Sequence, residues 1–201
     1  MKKITLLLAL LLGIISYSQE VKFGAKGGLN IADMKNEISE GSISAKIDSK
    51  ARFTFYAGGF VEFHLSNPKL RLQAELLYMN TGTRFEGDEF TGDVDYNFSQ
   101  LNIPLIAKYQ IFDNFFLHGG GYLGFVLDAE VESDSETMDV TDEVNSLDLG
   151  LLFGAEYHLE NGIFFELRYN LGLANLIDTD TEGYEESIKN RFLNIGLGYK
   201  F

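Results

Sequence analysis

The sequence predicts an all-β fold, an eight-stranded antiparallel up-and-down barrel. Three observations carry that expectation. Eight stretches alternate apolar and polar residues with a period of two, the mark of a strand with one apolar side. The connections between them run long, short, long, short, long, short, long. Helical periodicity is missing from all 201 residues, and 21 Gly, 17 Phe and 10 Tyr against 2 Pro favour aromatic-rich β structure.

The chain opens on a leader. Lys2 and Lys3, an apolar run over 4–15 and the small residues Ser16 and Ser18 read as a signal peptide over 1–18, leaving a barrel domain over 19–201. The apolar run is shorter than the roughly 20 residues of a spanning helix. The first strand, 21–31, places Val21, Phe23, Ala25, Leu29 and Ile31 on one face and Lys22, Lys26 and Asn30 on the other. A long polar connection follows, 32–50. The second strand, 53–65, carries Phe53, Phe55, Ala57, Val61, Phe63 and Leu65 against Tyr56, Phe60, Glu62 and His64. A short turn around Pro68 leads to the third, 70–84, with Leu70, Leu72, Ala74, Leu76 and Tyr78 against Arg71, Gln73, Glu75 and Leu77.

An acidic loop, 85–96, precedes the fourth strand, 98–110, which shows Leu101, Ile103, Leu105, Ala107 and Tyr109. Pro104 sits mid-strand on the opposite parity, costing a ladder hydrogen bond or marking a bulge. After the tight turn at Asp113 and Asn114 comes the fifth strand, 115–129. It sets Leu117, Leu123, Phe125, Leu127 and Ala129 outward and His118, Gly120, Tyr122, Gly124 and Asp128 inward. The acidic loop 130–146 leads to the sixth, 147–159, whose apolar face opposes Asp148, Leu152, Glu156 and His158. Glu160, Asn161 and Gly162 make a hairpin turn. The seventh strand, 163–174, opposes Phe164, Glu166, Arg168 and Asn170 to its apolar side. A fourth loop, 175–190, leads to the last strand, 191–201, with Leu193, Ile195, Leu197, Tyr199 and Phe201 on one face.

Two facings compete: a soluble barrel with its apolar side inside, and a membrane barrel with that side in lipid. Three features favour lipid. The polar face mixes many Gly with Tyr56, Phe60, Tyr122, Phe164 and Phe192, as a narrow filled interior requires. It holds six cations, Lys22, Lys26, Arg71, Lys108, Arg168 and Lys200, and six anions, Glu62, Glu75, Asp128, Asp148, Glu156 and Glu166, a balance expected of charges that pair away from water. The apolar face ends in two aromatic sets, Phe23, Phe63, Tyr109, Phe115, Tyr157, Phe165, Tyr199 and Phe201 near the turns and Phe53, Phe55, Tyr78, Phe125 and Tyr169 near the loops. The expected site is therefore the outer membrane of a Gram-negative-type cell, crossed by strands of ten residues or more, with both termini periplasmic.

The three-residue turn sets Leu159 opposite Ile163, and so Glu156 opposite Glu166. Facing carboxylates are unfavourable, so Arg168, Lys200 or another interior cation should reach between them.

With the strands laid out, the chain resembles the PorT-like, porin-family outer-membrane β-barrel domain. The stretches that carry it are Val21-Lys-Phe-Gly-Ala-Lys-Gly-Gly-Leu-Asn30, Ala57-Gly-Gly-Phe-Val-Glu-Phe63, Gln73-Ala-Glu-Leu-Leu-Tyr78, Leu101-Asn-Ile-Pro-Leu105 and residues 193–201. The resemblance implies the barrel and no catalytic motif; some members take part in protein secretion or gliding-related export. It also implies that the closing strand with Phe201 is read by the barrel-insertion machinery.

The chemistry is sparse. With no Cys there is no disulfide or thiolate site. A net charge of −14 argues against nucleic acid. Eight strands leave room inside only for side chains, which restricts a channel to small solutes or ions. His64, His118 and His158 all sit near turns, and no His stands beside the loop-side Ser99 or Ser146, so no hydrolase triad and no enzyme is expected. A three-His metal site is a lesser alternative. The loops 85–96, 130–146 and 175–190 hold five, seven and five acids, countered only by Lys189. Within them Asp178, Asp180 and Glu182 resemble the start of an EF-hand loop, yet Lys189 stands where the closing Glu belongs, leaving a weak Ca²⁺ candidate. No cofactor is expected. The function read from this is a structural or interaction barrel, anchor-like, adhesion-like or secretion-associated, with acidic outer loops; the alternative is a narrow porin-like channel. Its partners are outer-membrane lipid and lipopolysaccharide, with an envelope protein as a further candidate.

Overall fold

The computed structural model describes residues 20–32, 35–40, 43–47, 50–85, 94–133, 137–141, 144–175 and 185–201. The expected leader over 1–18 and the calcium candidates Asp178, Asp180 and Glu182 lie outside them.

Eight strands form the barrel: β1 (Glu20–Ala32), β4 (Lys50–His64), β5 (Leu70–Phe85), β6 (Val94–Phe112), β7 (Phe115–Ser133), β9 (Leu147–His158), β10 (Ile163–Gly172) and β12 (Arg191–Lys200). Each pairs antiparallel with its sequence neighbour in the barrel, and β1 pairs with β12 to close the ring. Three of the expected loops, 32–50, 130–146 and 175–190, contain strands of their own. β2 (Lys35–Glu40), β3 (Ile43–Ile47) and β11 (Glu185–Lys189) make a separate three-stranded sheet in the order β11-β2-β3, and β8 (Thr137–Asp139) adds to the far end of β7. Sequence alternation misses β2 and β11 because a strand with two polar faces has no apolar period, while β3, where Ile43, Ala45 and Ile47 alternate with Ser44 and Lys46, is only 5 residues long. β6 and β7 are 19 residues each. That is about 60 Å of strand, far beyond the ~10 residues needed to cross, so this hairpin projects past the membrane at the loop end.

The registers explain the turns. Leu159 N–H donates to Ile163 O at 2.7 Å, and Glu166 is the direct partner of Glu156, as the three-residue turn predicts. Gly162 closes that turn at φ 89°, a left-handed conformation that suits glycine. Pro104 costs pairing rather than register. The β5–β6 ladder is interrupted between Ala74–Leu105 and Leu77–Asn102 at constant register, while β6 pairs with β7 through Pro104–Tyr122. The missing N–H is thus turned toward β5.

One bulge changes a facing. Between Ser99–Asp128 and Gln100–Val126 the register slips by one residue, with Leu127 extra. Past an extra residue the parity flips. Ala129, expected outside, is therefore buried with Phe98 and Val126, and Asp128, expected inside, is only half-buried opposite Ser99.

The apolar faces point outward. Ile195 and Leu197 are 45% and 58% exposed, and Phe23, Phe53, Phe55, Tyr157, Phe165 and Tyr199 are exposed as well. Phe63 shares their parity but is buried. No helix among the described residues is long and apolar enough to cross a membrane; the strands cross it. Replacing Ile195, midway along β12, by Arg should cost about 2–4 kcal/mol of barrel stability if it faces the hydrocarbon midplane. Urea unfolding in lipid vesicles measures this, and an unchanged midpoint would place Ile195 elsewhere.

Candidate functional site: the charged lumen

Inward parity gathers the charged residues along the barrel axis. β10 supplies them in sequence from the turn end: Phe164, Glu166, Arg168 and Asn170, all buried. Three tiers result.

At the turn end, Glu62 is the hub. Lys200 Nζ donates to it at 2.7 Å and Arg71 Nη1 at 3.3 Å, His64 Nε2 lies at 3.0 Å, and Lys108 stands 3.4 Å from its other oxygen. The Arg71 guanidinium also lies over the Phe116 ring, 4.2 Å from its centroid. A vestibule of about 440 Å³ opens here, lined by Lys22, His64, Arg71, His158 and Lys200 among others.

Next, Lys108 Nζ donates to Glu156 at 2.7 Å, and His158 Nε2 meets the same oxygen at 2.8 Å. Phe60 and Phe164 pack edge to face beside Lys108, whose Nζ is 5.7 and 5.6 Å from their centroids. The third tier is a closed knot. Arg168 grips Glu75 with both terminal nitrogens, at 2.9 and 2.8 Å, and reaches Glu166 at 2.6 Å. Lys26 joins the same two carboxylates at 2.7 and 2.9 Å. Gln73 and Tyr56 add hydrogen bonds to Glu75 and Glu166. Paired, multiply hydrogen-bonded ions are the form in which charge survives burial.

The facing pair Glu156 and Glu166 is thus resolved by separate cations, Lys108 for one, Arg168 and Lys26 for the other. Lys200 serves Glu62 instead. Of the twelve charged residues expected in the lumen, nine form this network. Lys22 is paired with Glu20 at the turn-end rim, at 3.2 Å. Asp128 leaves through the bulge. Asp148 is buried with no cation paired to it among the described residues, held by the Tyr122 hydroxyl at 3.3 Å and by Asn190 Nδ2 at 3.2 Å.

The three histidines do not define a metal site together. Among the described residues, the cluster of ligand-type atoms is His118 with Glu156 and Glu166, within 4.8 Å of one another. Both carboxylates are already engaged by Lys108, His158, Lys26 and Arg168, so that cluster is a node of the ion network. Ser99 is on the outer wall, where its Oγ accepts a hydrogen bond from the Tyr78 hydroxyl at 3.3 Å. The sequence places the amides Asn30, Gln73, Asn170 and Asn194 on the inward face, but alternation gives the lumen amides no role and does not single out Gln100, Asn102 and Asn190. Gln100, Asn102, Asn170, Asn190 and Asn194 are all buried, and all but Asn190 sit on the inward parity of a recognised strand.

At the loop end residues 137–141 and 144–146 pack against β6 and β7. Val140 and Val144 pack on Phe98, Val126 and Ala129, Val140 N–H donates to Ala129 O, and Val126 N–H donates to Ser146 O. Asp139, exposed in this segment, has its carboxyl held below the usual range by hydrogen bonds from Thr141.

Solved structures share this architecture. Neisserial surface protein A is 15% identical, with a TM-score of 0.53 over 91% of this chain and 100% of that one. Ail, the attachment invasion locus protein of Yersinia pestis, solved with the heparin analogue sucrose octasulfate, is 15% identical, with a TM-score of 0.45 over 91% and 100%. OprG of Pseudomonas aeruginosa is 16% identical, with a TM-score of 0.45 over 90% and 95%. At such identities the likeness concerns the fold. No curated protein sequence matches. The family model of the outer membrane protein beta-barrel domain matches residues 17–178, the greater part of the chain, and the chain belongs to that family.

Proposed function

We propose that the protein is a non-conducting, non-enzymatic anchor of the outer membrane, a rigid barrel that presents an acidic outer surface for interaction. The observation that supports this is the filled lumen. Arg168, Lys108, Tyr56, Phe116, Phe164 and Phe192 are all buried, and the ion pair of Arg168 on β10 with Glu75 on β5 ties opposite walls of the ring. An ion passing through would have to separate Lys26 and Arg168 from Glu75 and Glu166, at the cost of buried, unpaired charge. The short turns and both termini are assigned to the periplasm, and the acidic connections with the β11-β2-β3 sheet to the outside. PorT-like membership, with an export-associated partner, is the finer family reading. The closing strand with Phe201 is the segment offered to the insertion machinery, and lipid and lipopolysaccharide surround the wall.

The second reading is a narrow channel for small solutes or ions, and only the vestibule at the turn end favours it. Purified barrel in a planar bilayer separates the two. Silence is expected for the anchor; steady, reproducible openings would establish the channel.

A further inference from the structure

We propose that the loop end of the lumen binds one small, hard monovalent cation of sodium size, on the Asp148 carboxylate and the side-chain carbonyls of Gln100, Asn102 and Asn190. The charge pattern points there first. Glu62, Glu75, Glu156 and Glu166 each have at least one Lys or Arg within ion-pair distance. Asp148 is equally buried, at 0% exposure, yet among the described residues no cation pairs with it. Its partners, Tyr122 and Asn190, are neutral donors. A carboxylate this dry calls for a counter-charge.

The second observation is independent of charge. Among the described residues, both polar atoms of the Gln100 amide and the Oδ1 atoms of Asn102 and Asn190 are buried without a hydrogen-bond partner. Buried polar atoms are nearly always satisfied, so unpaired carbonyls around one carboxylate indicate a ligand that accepts oxygen donors. These groups adjoin. A Cβ placed on Gly124 would lie 3.3 Å from Asp148 Cβ, 3.6 Å from the Asn102 amide nitrogen and 3.6 Å from Gln100 Oε1. Glycine at 124 thus leaves open the space those three side chains share, and Asn190 approaches the carboxylate from β12's side.

Donor chemistry selects the ion. Every candidate ligand is a hard oxygen, which suits alkali and alkaline-earth ions and not soft metals. One carboxylate neutralises one positive charge; a divalent ion would leave net charge buried. The apolar lid of Val140 and Val144 closes over the tier outside the site, on Phe98, Val126 and Ala129. Beneath it lies the knot of Lys26, Arg168, Glu75 and Glu166, buried and charge-balanced, which blocks the way through, so the ion would bind and leave by the loop end alone. This goes beyond the anchor reading and does not depend on it, because bilayer silence is compatible with either result below.

The test uses the refolded full barrel in zwitterionic micelles. Its thermal unfolding midpoint is compared in NaCl and in choline chloride at equal ionic strength, with KCl and CaCl₂ as further arms. The expected result is a saturable rise in NaCl of about 2–4 °C or more. Asp148→Asn, which keeps the shape and removes the charge, should unfold at the same temperature in both salts, as should Gly124→Ala, which fills the shared space. Equal wild-type midpoints in NaCl and choline would overturn the proposal, whether or not the variants fold. So would a sodium effect that survives in Asp148→Asn, a stronger response to CaCl₂, or an infrared carboxylic-acid band at neutral pH that Asp148→Asn removes, since a protonated Asp148 needs no ion.

Discussion

Arg168→Met should destabilise the folded barrel by about 3–5 kcal/mol, the cost of stripping one partner from a buried ionic knot. The loss is specific. Arg168 and Lys26 together balance Glu75 and Glu166, and without the guanidinium Lys26 must serve two carboxylates in a dry interior. Glu166→Gln alone leaves the opposite imbalance, two cations against Glu75. Combining the two changes leaves Lys26 and Glu75 paired at 2.7 Å, a neutral remainder. The double variant should therefore be more stable than the sum of the single effects allows, by up to about 3 kcal/mol of coupling. Arg168→Lys should recover little of the loss, because one ammonium cannot reproduce the two-pronged grip on Glu75 while holding Glu166. Urea titration in vesicles gives all four stabilities. Strict additivity would mean that the side chains act only as lumen filler.

The tiers of that knot were legible because β structure reports facing directly. Once Leu193, Ile195 and Leu197 fall on one parity, Lys200 and the cations of the other strands must share the axis. The register between Glu156 and Glu166 followed from three turn residues. What escaped the sequence did so for identifiable reasons. Asp128 left the lumen because Leu127 is an extra residue, and nothing in the local composition marks a bulge there. β2 and β11 went unread because their mostly polar residues show no apolar alternation, and β3 because a run of 5 alternating residues does not stand out in a polar stretch. Gln100, Asn102 and Asn190 drew no attention because uncharged amides are ordinary on any surface; only burial makes them informative.

Gly28→Val should prevent the barrel from closing. Gly28 faces Gly196 across the β1–β12 seam, where the two ends of the barrel sheet meet. A Cβ at 28 would stand 2.2 Å from the Ile195 carbonyl oxygen and 2.5 Å from the Gly196 Cα, both backbone atoms of the partner strand. Backbone in a ladder cannot swing aside, so the seam itself would have to open. Gly196 differs. Its added Cβ meets the Tyr56 hydroxyl at 2.1 Å, the end of a side chain that also bonds Glu166, although the Gly27 carbonyl oxygen at 2.7 Å limits any relief. Tyr56→Phe should therefore partly rescue Gly196→Ala and do nothing for Gly28→Val. Gly59, on the outer wall, meets its nearest atom only at 3.6 Å, so Gly59→Val should fold at the wild-type yield. Electrophoresis without heating separates folded from unfolded barrels and scores each variant. A folded band for Gly28→Val would show that the seam has slack which the close approach of its two glycines denies.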